Sequence, residues 1–184
     1  MDIQPQVARN SRAFTLIELI IVLAMITVVM SVGVPGIQHL AVNSRITSAV
    51  NSMVRHLHYA RSEAIMRNQP VVLCPSLQGS DCDNSYHWES GFILFADNNR
   101  DRKRSEGERI LRHFNPGSGQ ISILTSTGRK KLTYQASGMA PGSTATITIC
   151  DPGSPENSKA IIVSNPGRPR LSNTRADGSP LKCI

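Results

Sequence analysis

Arg9-Asn10-Ser11-Arg12-Ala13-Phe14-Thr15-Leu16-Ile17-Glu18 opens the most informative part of the chain. Two arginines precede an apolar run, and one carboxylate lies inside it. From Phe14 to Ile37 the only ionisable side chain is Glu18. As a helix, this run would rise about 36 Å at roughly 1.5 Å per residue. A bilayer core is about 30 Å thick. A lone carboxylate in that setting costs on the order of 2.5–3.5 kcal/mol on insertion scales. Glu18 therefore calls for a cation, either at a nearby chain terminus or on a neighbouring helix.

Two plainer explanations fit less well. A secretory signal peptide has a shorter apolar core ending in a small-x-small cut site; Ser31-Val32-Gly33 is a poor one, and Glu18 would lie inside the core. A simple single-span anchor accounts for the length and the flanking charge but not for Glu18. Arg9 and Arg12 place the N-terminus on the cytoplasmic side by the positive-inside rule.

These residues resemble the class III leader of type IV prepilins and pseudopilins. In that family a basic leader is cut just before a Phe-Thr-Leu-Ile-Glu block by a prepilin peptidase, and the new terminal Phe is N-methylated. The resemblance implies a cut between Ala13 and Phe14, with Phe14 methylated. The family usually carries Gly before the cut; Ala13 departs from this but is also small. Cleavage would create an α-amine one helical turn before Glu18, and the resemblance implies that an amine–carboxylate pair guides subunits into a filament. Pro35 falls where the family bends its helix. Proline lacks the backbone N–H and clashes with the preceding turn.

Downstream of the run, Ile46, Val50, Met53, Leu57, Ala60 and Ala64 recur at three- and four-residue steps, which predicts an amphipathic helix. Arg45, Ser48, Ser52, Arg55 and Ser62 lie off that stripe. Gln69-Pro70 ends it, because the residue before proline avoids the helical region. After Pro70 the pattern turns to short β-type runs: 71–74, 91–96, 109–114, 121–125, 131–135, 144–150 and 160–164. Gly, Pro, Asn and Ser separate them. The expected fold is α+β, one long N-terminal helix packed on an antiparallel β-sheet head, which is also the pilin architecture. The expected organisation is a leader at 1–13, a transmembrane or filament-core helix at 14–37, its amphipathic continuation at 38–69, and a β-rich head at 70–184.

Head segments narrow the resemblance. His58-Tyr59-Ala60-Arg61-Ser62-Glu63-Ala64, Val71-Val72-Leu73-Cys74, Trp88-x-x-Gly91-Phe92-x-x-Phe95-x-Asp97 and Ile110-Leu111-Arg112 look like the FimT/FimU/GspH branch of minor pilins and minor pseudopilins. That resemblance implies a subunit in the inner membrane with its head in the periplasm, later in a pilus near the tip. Its partners would be other major and minor pilins. The alternative within the branch is a minor pseudopilin, GspH-like, of a type II secretion system. Tyr59, Leu73, Trp88, Phe92 and Phe95 are read as packing residues.

The 184-residue chain carries a formal charge of +7, and removing the leader leaves +6. That excess favours anionic partners. Four cysteines fit an oxidising compartment. Three connectivities are open; proximity in sequence favours Cys74–Cys82 and Cys150–Cys183. Zinc is disfavoured, since no Cys-x-x-Cys or His-x₃-His spacing appears. No nucleophile elbow, phosphate loop or metalloprotease motif is present. The reading is therefore not an enzyme, with no cofactor.

Two basic segments remain. Asp97, Asn99, Asp101 and Glu108 occupy the first, third, fifth and twelfth places of a calcium-loop pattern, but Arg102 stands where that loop needs its turn glycine. With Arg100, Lys103 and Arg104 adding repulsion, the segment reads as a charged hairpin loop. Asn165-Pro166-Gly167-Arg168-Pro169-Arg170 reads differently. Its prolines favour an extended backbone, so Arg168 and Arg170 point the same way and could reach successive phosphates. Gly167 would permit close backbone approach. Arg175 and Lys182 add charge nearby. The plainer reading is a solvated edge strand. The segment resembles the Gly-Arg-x-Arg motif of DNA-binding FimT pilins, which take part in natural transformation. That resemblance implies non-sequence-specific DNA contact through Gly167, Arg168 and Arg170.

Overall fold

The structure, a computed structural model, describes residues 15–115 and 120–183, the side chains of 32–38 excepted. The leader, the cut at Ala13 and Phe14, and the side chain of Pro35 lie outside the described residues.

Helix α1 runs Leu16–Arg67, 52 residues. Thr15 caps its start: the Glu18 N–H donates to Thr15 Oγ1 at 3.3 Å. Thr-x-x-Glu is the capping-box pattern, so Glu18 has a local role that the charge argument alone does not reveal. A carboxylate is also favoured here by the positive end of the helix dipole.

The chain divides into two compact units, at Leu40 and Ala41. In the first, the helix is apolar all round: large side chains from Leu16 to Met30 are exposed, Leu16 by 75% and Val22 by 47%. Such a surface needs a lipid or protein cover. Thr27 and Ser31 return their hydroxyls to the carbonyls of Ala24 and Val28, removing two polar groups from that surface. Among the described residues no helix is long and apolar enough to cross a membrane; the expected span at 14–37 runs into positions beyond that description.

In the second unit, Ile46, Val50, Met53, Leu57, Ala60 and Ala64 are all buried, as their spacing predicts. The helix ends in a Schellman motif. Asn68 takes φ 53°, its N–H donates to the Ile65 carbonyl, and Gln69 N–H donates to Ala64. Pro70 then prevents continuation.

Among the described residues eight strands follow: β1 Val71–Pro75, β2 Phe92–Ala96, β3 Ile110–Phe114, β4 Ser122–Leu124, β5 Leu132–Tyr134, β6 Ala145–Asp151, β7 Ser154–Val163 and β8 Pro169–Ser172. They form two sheets, in the orders β3-β2-β1-β5 and β4-β6-β7-β8, with every pairing antiparallel, as the expected antiparallel head requires. One core cluster joins the helix stripe to inner residues of both sheets, among them Leu73, Phe92, Leu94, Ile147, Ile149 and Ile161. The first sheet is covered on both faces. Val72, Cys74, Ile93 and Phe95 form a second cluster with Cys82 and Ile110, which explains why β1 and β2 are apolar without alternation. Cys74 pairs with Cys82, and Cys150 with Cys183. All buried apolar side chains among the described residues, and both disulfides, lie within this second unit, so the head carries its own core.

Candidate functional site

The second sheet shows why the C-terminal arginines have a defined direction. On β6 and β7, Ile147, Ile149, Ile161 and Val163 face the core cluster. Alternation puts Thr146, Thr148, Ala160 and Ile162 on the opposite, outer face. Strand register extends that face to the edge: Thr146 is opposite Ile162, and Ile162 is opposite Arg170. Likewise Thr148 is opposite Ala160, and Ala160 is opposite Ser172. Arg170 therefore belongs to the outer face, about 10 Å from Thr146 across two strand spacings. Arg168 immediately precedes β8, at most about 6.8 Å from Arg170 along an extended chain. Both arginines are exposed. β8 is an edge strand, where Pro169 is tolerated.

Gly167 serves the fold rather than a ligand. It is buried, takes φ 75°, and donates its N–H to the Ser164 carbonyl at 2.8 Å. A Cβ there would lie 2.3 Å from the Gly138 carbonyl oxygen and 3.1 Å from the Tyr134 ring. The close backbone approach that the sequence suggests is thus to Gly138, and the turn sets the direction in which Arg168 and Arg170 leave. Gly167→Ala should cost about 1–3 kcal/mol from the left-handed backbone alone, with the overlap adding to it. Urea unfolding of the head measures this; an unchanged midpoint would contradict the structural role.

After β8 the tail folds back. Thr174 bridges Pro180, Arg175 N–H donates to the Ser179 carbonyl, and Cys183 is tied to Cys150 of β6. This brings Arg175, half-buried, and Lys182, exposed, to one cleft with Tyr86, Thr125, Thr146 and Thr148, about 210 Å³ in volume. A larger cavity, about 320 Å³, lies between the helix and the sheets and includes Arg45, Met53, Glu89 and Phe92. Its one carboxylate, Glu89, is already bonded to His87 Nδ1 and the Ile123 N–H.

The 97–108 loop is held by its own side chains. Asp97 Oδ2 accepts the Arg102 N–H, Asn99 accepts from Asp101, and Glu108 accepts from Asn98 and Ser105. Arg102 sits at φ 62° without being glycine, so a missing glycine does not prevent this turn. Both Glu108 oxygens nevertheless serve backbone amides. Among the described residues no cluster of three His, Cys, Asp or Glu side chains could hold a metal. Two nearby basic side chains are engaged as well. Arg102 donates to Thr133 and Ser143, and Arg112 lies over the Tyr59 ring at 4.9 Å.

Asp97 is almost fully buried, and its Oδ1 lacks a hydrogen-bond partner. Burial pushes its carboxyl above the usual range, and Glu108 and Asp101 add to this against the opposing Arg102 N–H bond. The native state then binds a proton more tightly than the unfolded chain does. This group's contribution to stability therefore falls as pH rises from the ordinary carboxylate range, about 4, through its raised value. Asp97→Asn keeps an acceptor and removes the charge. The variant should melt at an equal or higher temperature at pH 7, with the difference shrinking on acidification below about pH 4. A lower melting temperature at pH 7 would contradict this.

Residues 49–167 match the family model described as Type II transport protein GspH, and residues 8–34 match the prokaryotic N-terminal methylation motif. The pilin-like protein PilA1 of Thermus thermophilus is 29% identical over 168 residues, covering 87% of this chain and 97% of PilA1. The crystal structure of the type IV minor pilin FimU of Pseudomonas aeruginosa is similar in fold, with a TM-score of 0.54 and 22% identity over 70% of this chain and 89% of FimU. The family match stops at Gly167, so Arg168, Arg170, Arg175 and Lys182 lie beyond it.

Proposed function

We propose a function from the premise that this chain belongs to the GspH family, as a minor pilin or pseudopilin: it enters a type IV pilus near the tip, and its head holds DNA there during natural transformation. The observation that carries the DNA part is the outer face of the second sheet: strand register puts Arg170 on its edge, with Arg168 two residues before, and Arg175 and Lys182 of the returning tail enter the cleft beside Thr146 and Thr148. Backbone phosphates account for most non-specific affinity, and exposed cations supply it. Nothing in this arrangement reads base edges, so the binding is without sequence preference. The role is structural and binding, not enzymatic. Similarity to a pilin-like protein along almost its whole length supports the pilus branch. The description of the matched family favours the second reading, a type II secretion pseudopilin. Retardation of duplex DNA by the purified head at low salt tests the choice; no retardation would leave only the subunit role.

Assembly rests on the stem. In this reading a prepilin peptidase removes residues 1–13, Phe14 is methylated, and the apolar helix stays in the inner membrane, with the head in the periplasm, until other pilins cover it. The exposed apolar surface from Leu16 to Met30 supports such a cover. Glu18 then has two roles, capping and charge, and one substitution separates them. Gln also completes a capping box but carries no charge. Glu18→Gln should keep the protein in the membrane and abolish its recovery in sheared filaments. Normal recovery would assign Glu18 to capping alone.

A further inference from the structure

The cleft under the returning tail has a composition that edge contacts by Arg168 and Arg170 do not require. Two cations enter it from the tail, and among the described residues no carboxylate lines it. Its remaining lining is Leu124 and six hydroxyl-bearing side chains, Tyr86, Thr125, Ser126, Thr127, Thr146 and Thr148, whose carbons make up more of the wall than their oxygens. Thr125 is already used, since its hydroxyl donates to the Arg129 carbonyl and accepts the Trp88 indole N–H. Thr146 and Thr148 come from the outer face of β6, and each can donate one hydrogen bond. Asp177 lies near Arg175, but its carboxylate is bonded by the Ser179 N–H and hydroxyl. Among the described residues neither Arg175 nor Lys182 makes a salt bridge. A cleft lined by one sign of charge concentrates potential and draws the opposite sign inward. Its volume, about 210 Å³, leaves room for a phosphate group with some of its hydration.

The convergence is built by the fold. Lys182 adjoins Cys183, and Cys183 is bonded to Cys150 at the end of β6. The tight turn from Arg175 to Ser179 holds the other cation. Without the strap, neither side chain has a reason to face Thr146 and Thr148.

We propose that this cleft seats one backbone phosphate of a nucleic acid, with Arg175 and Lys182 supplying charge and the Thr146 and Thr148 hydroxyls donating hydrogen bonds. The site itself rests on the geometry; the nucleic-acid source of the phosphate rests on the function proposed above. Arg168 and Arg170 then guide the strand along the edge, and the cleft fixes where it crosses the sheet. Thr146 and Thr148, which no charge argument selects, become ligand-contacting residues.

Amide chemical shifts of the ¹⁵N-labelled head, residues 41–184, test this by titration with a short duplex and, separately, with inorganic phosphate. DNA should move the Thr146 and Thr148 signals. Arg175→Ala with Lys182→Ala should abolish those movements and flatten the salt dependence of DNA affinity by up to about two units. The dispersion of the variant's spectrum reports whether it is folded, and the exposed Lys182→Ala alone should show about half the loss of slope. If DNA moves Arg168 and Arg170 but not Thr146 and Thr148, the cleft proposal fails and the DNA reading survives. If only inorganic phosphate moves Thr146 and Thr148, the phosphate site stands and its nucleic-acid source fails. If neither ligand moves any of the four, both fail.

Discussion

Replacing Arg168 and Arg170 together with alanine should weaken duplex-DNA binding by the head roughly 10- to 100-fold. A charge-assisted hydrogen bond contributes about 1.5 kcal/mol at its lower end, and 1.4 kcal/mol is tenfold. Two such contacts give about 100-fold, which exposure and screening reduce. The slope of log affinity against log salt should flatten by up to about 1.8 units for two lost phosphate contacts. Folding should not confound the result. Both side chains are exposed, Arg170 on an edge strand and Arg168 just before it, and surface changes of this kind usually stay within about 0.5 kcal/mol. Gel shifts over a salt series measure both quantities. A weaker affinity with an unchanged slope would mean that the arginines act without touching phosphate.

Trp88→Ala should have the largest effect on stability. Trp88 is 1% exposed, and its ring lies 5.9 Å from that of Phe92 in the first sheet. Its backbone N–H donates to the Ile123 carbonyl of β4 in the second sheet at 2.8 Å, and its indole N–H donates to Thr125 Oγ1 at 3.2 Å. The residue thus ties the two sheets together. Large aromatic to alanine changes in a core cost about 3–5 kcal/mol, against a typical total of about 5–15 kcal/mol. Urea melts of the head should show a loss of at least about 3 kcal/mol. A loss below about 1 kcal/mol would mean that the sheets hold together through other contacts.

Much of this was legible in the chain, for identifiable physical reasons. The helix stripe from Ile46 to Ala64 was readable because only one helical face is apolar. β1 and β2 were readable as short apolar runs between turns. Other features had no periodic signal. The first half of β7, from Ser154 to Ser158, is polar, and only Ser154 has a register partner on β6 across an irregularity, so no apolar alternation marks it. β8 contains a proline and an arginine and exists only as an edge partner of β7. That the strands divide into two sheets depends on the chain crossing to the second sheet at β4, back to the first at β5 and over again at β6, and residue types do not encode it. Gly167 was assigned to ligand approach because a glycine beside arginines suggests one; its contact with Gly138 is long-range and invisible in sequence. The segment read as a charged loop is one, and its Arg102 turn was not legible, because Asp97 and Glu108 carboxylates accepting backbone N–H groups hold a conformation that the residue type disfavours. The Thr15 cap on the Glu18 N–H follows from the Thr-x-x-Glu spacing itself, a smaller energy than the membrane charge.

The most direct measurement is the salt dependence of duplex-DNA affinity for the unmodified head. Four cations, Arg168, Arg170, Arg175 and Lys182, predict a straight line of log affinity against log salt, falling with a slope of up to about −3.6. No binding at low salt, or an affinity indifferent to salt, would contradict a nucleic-acid role for this face.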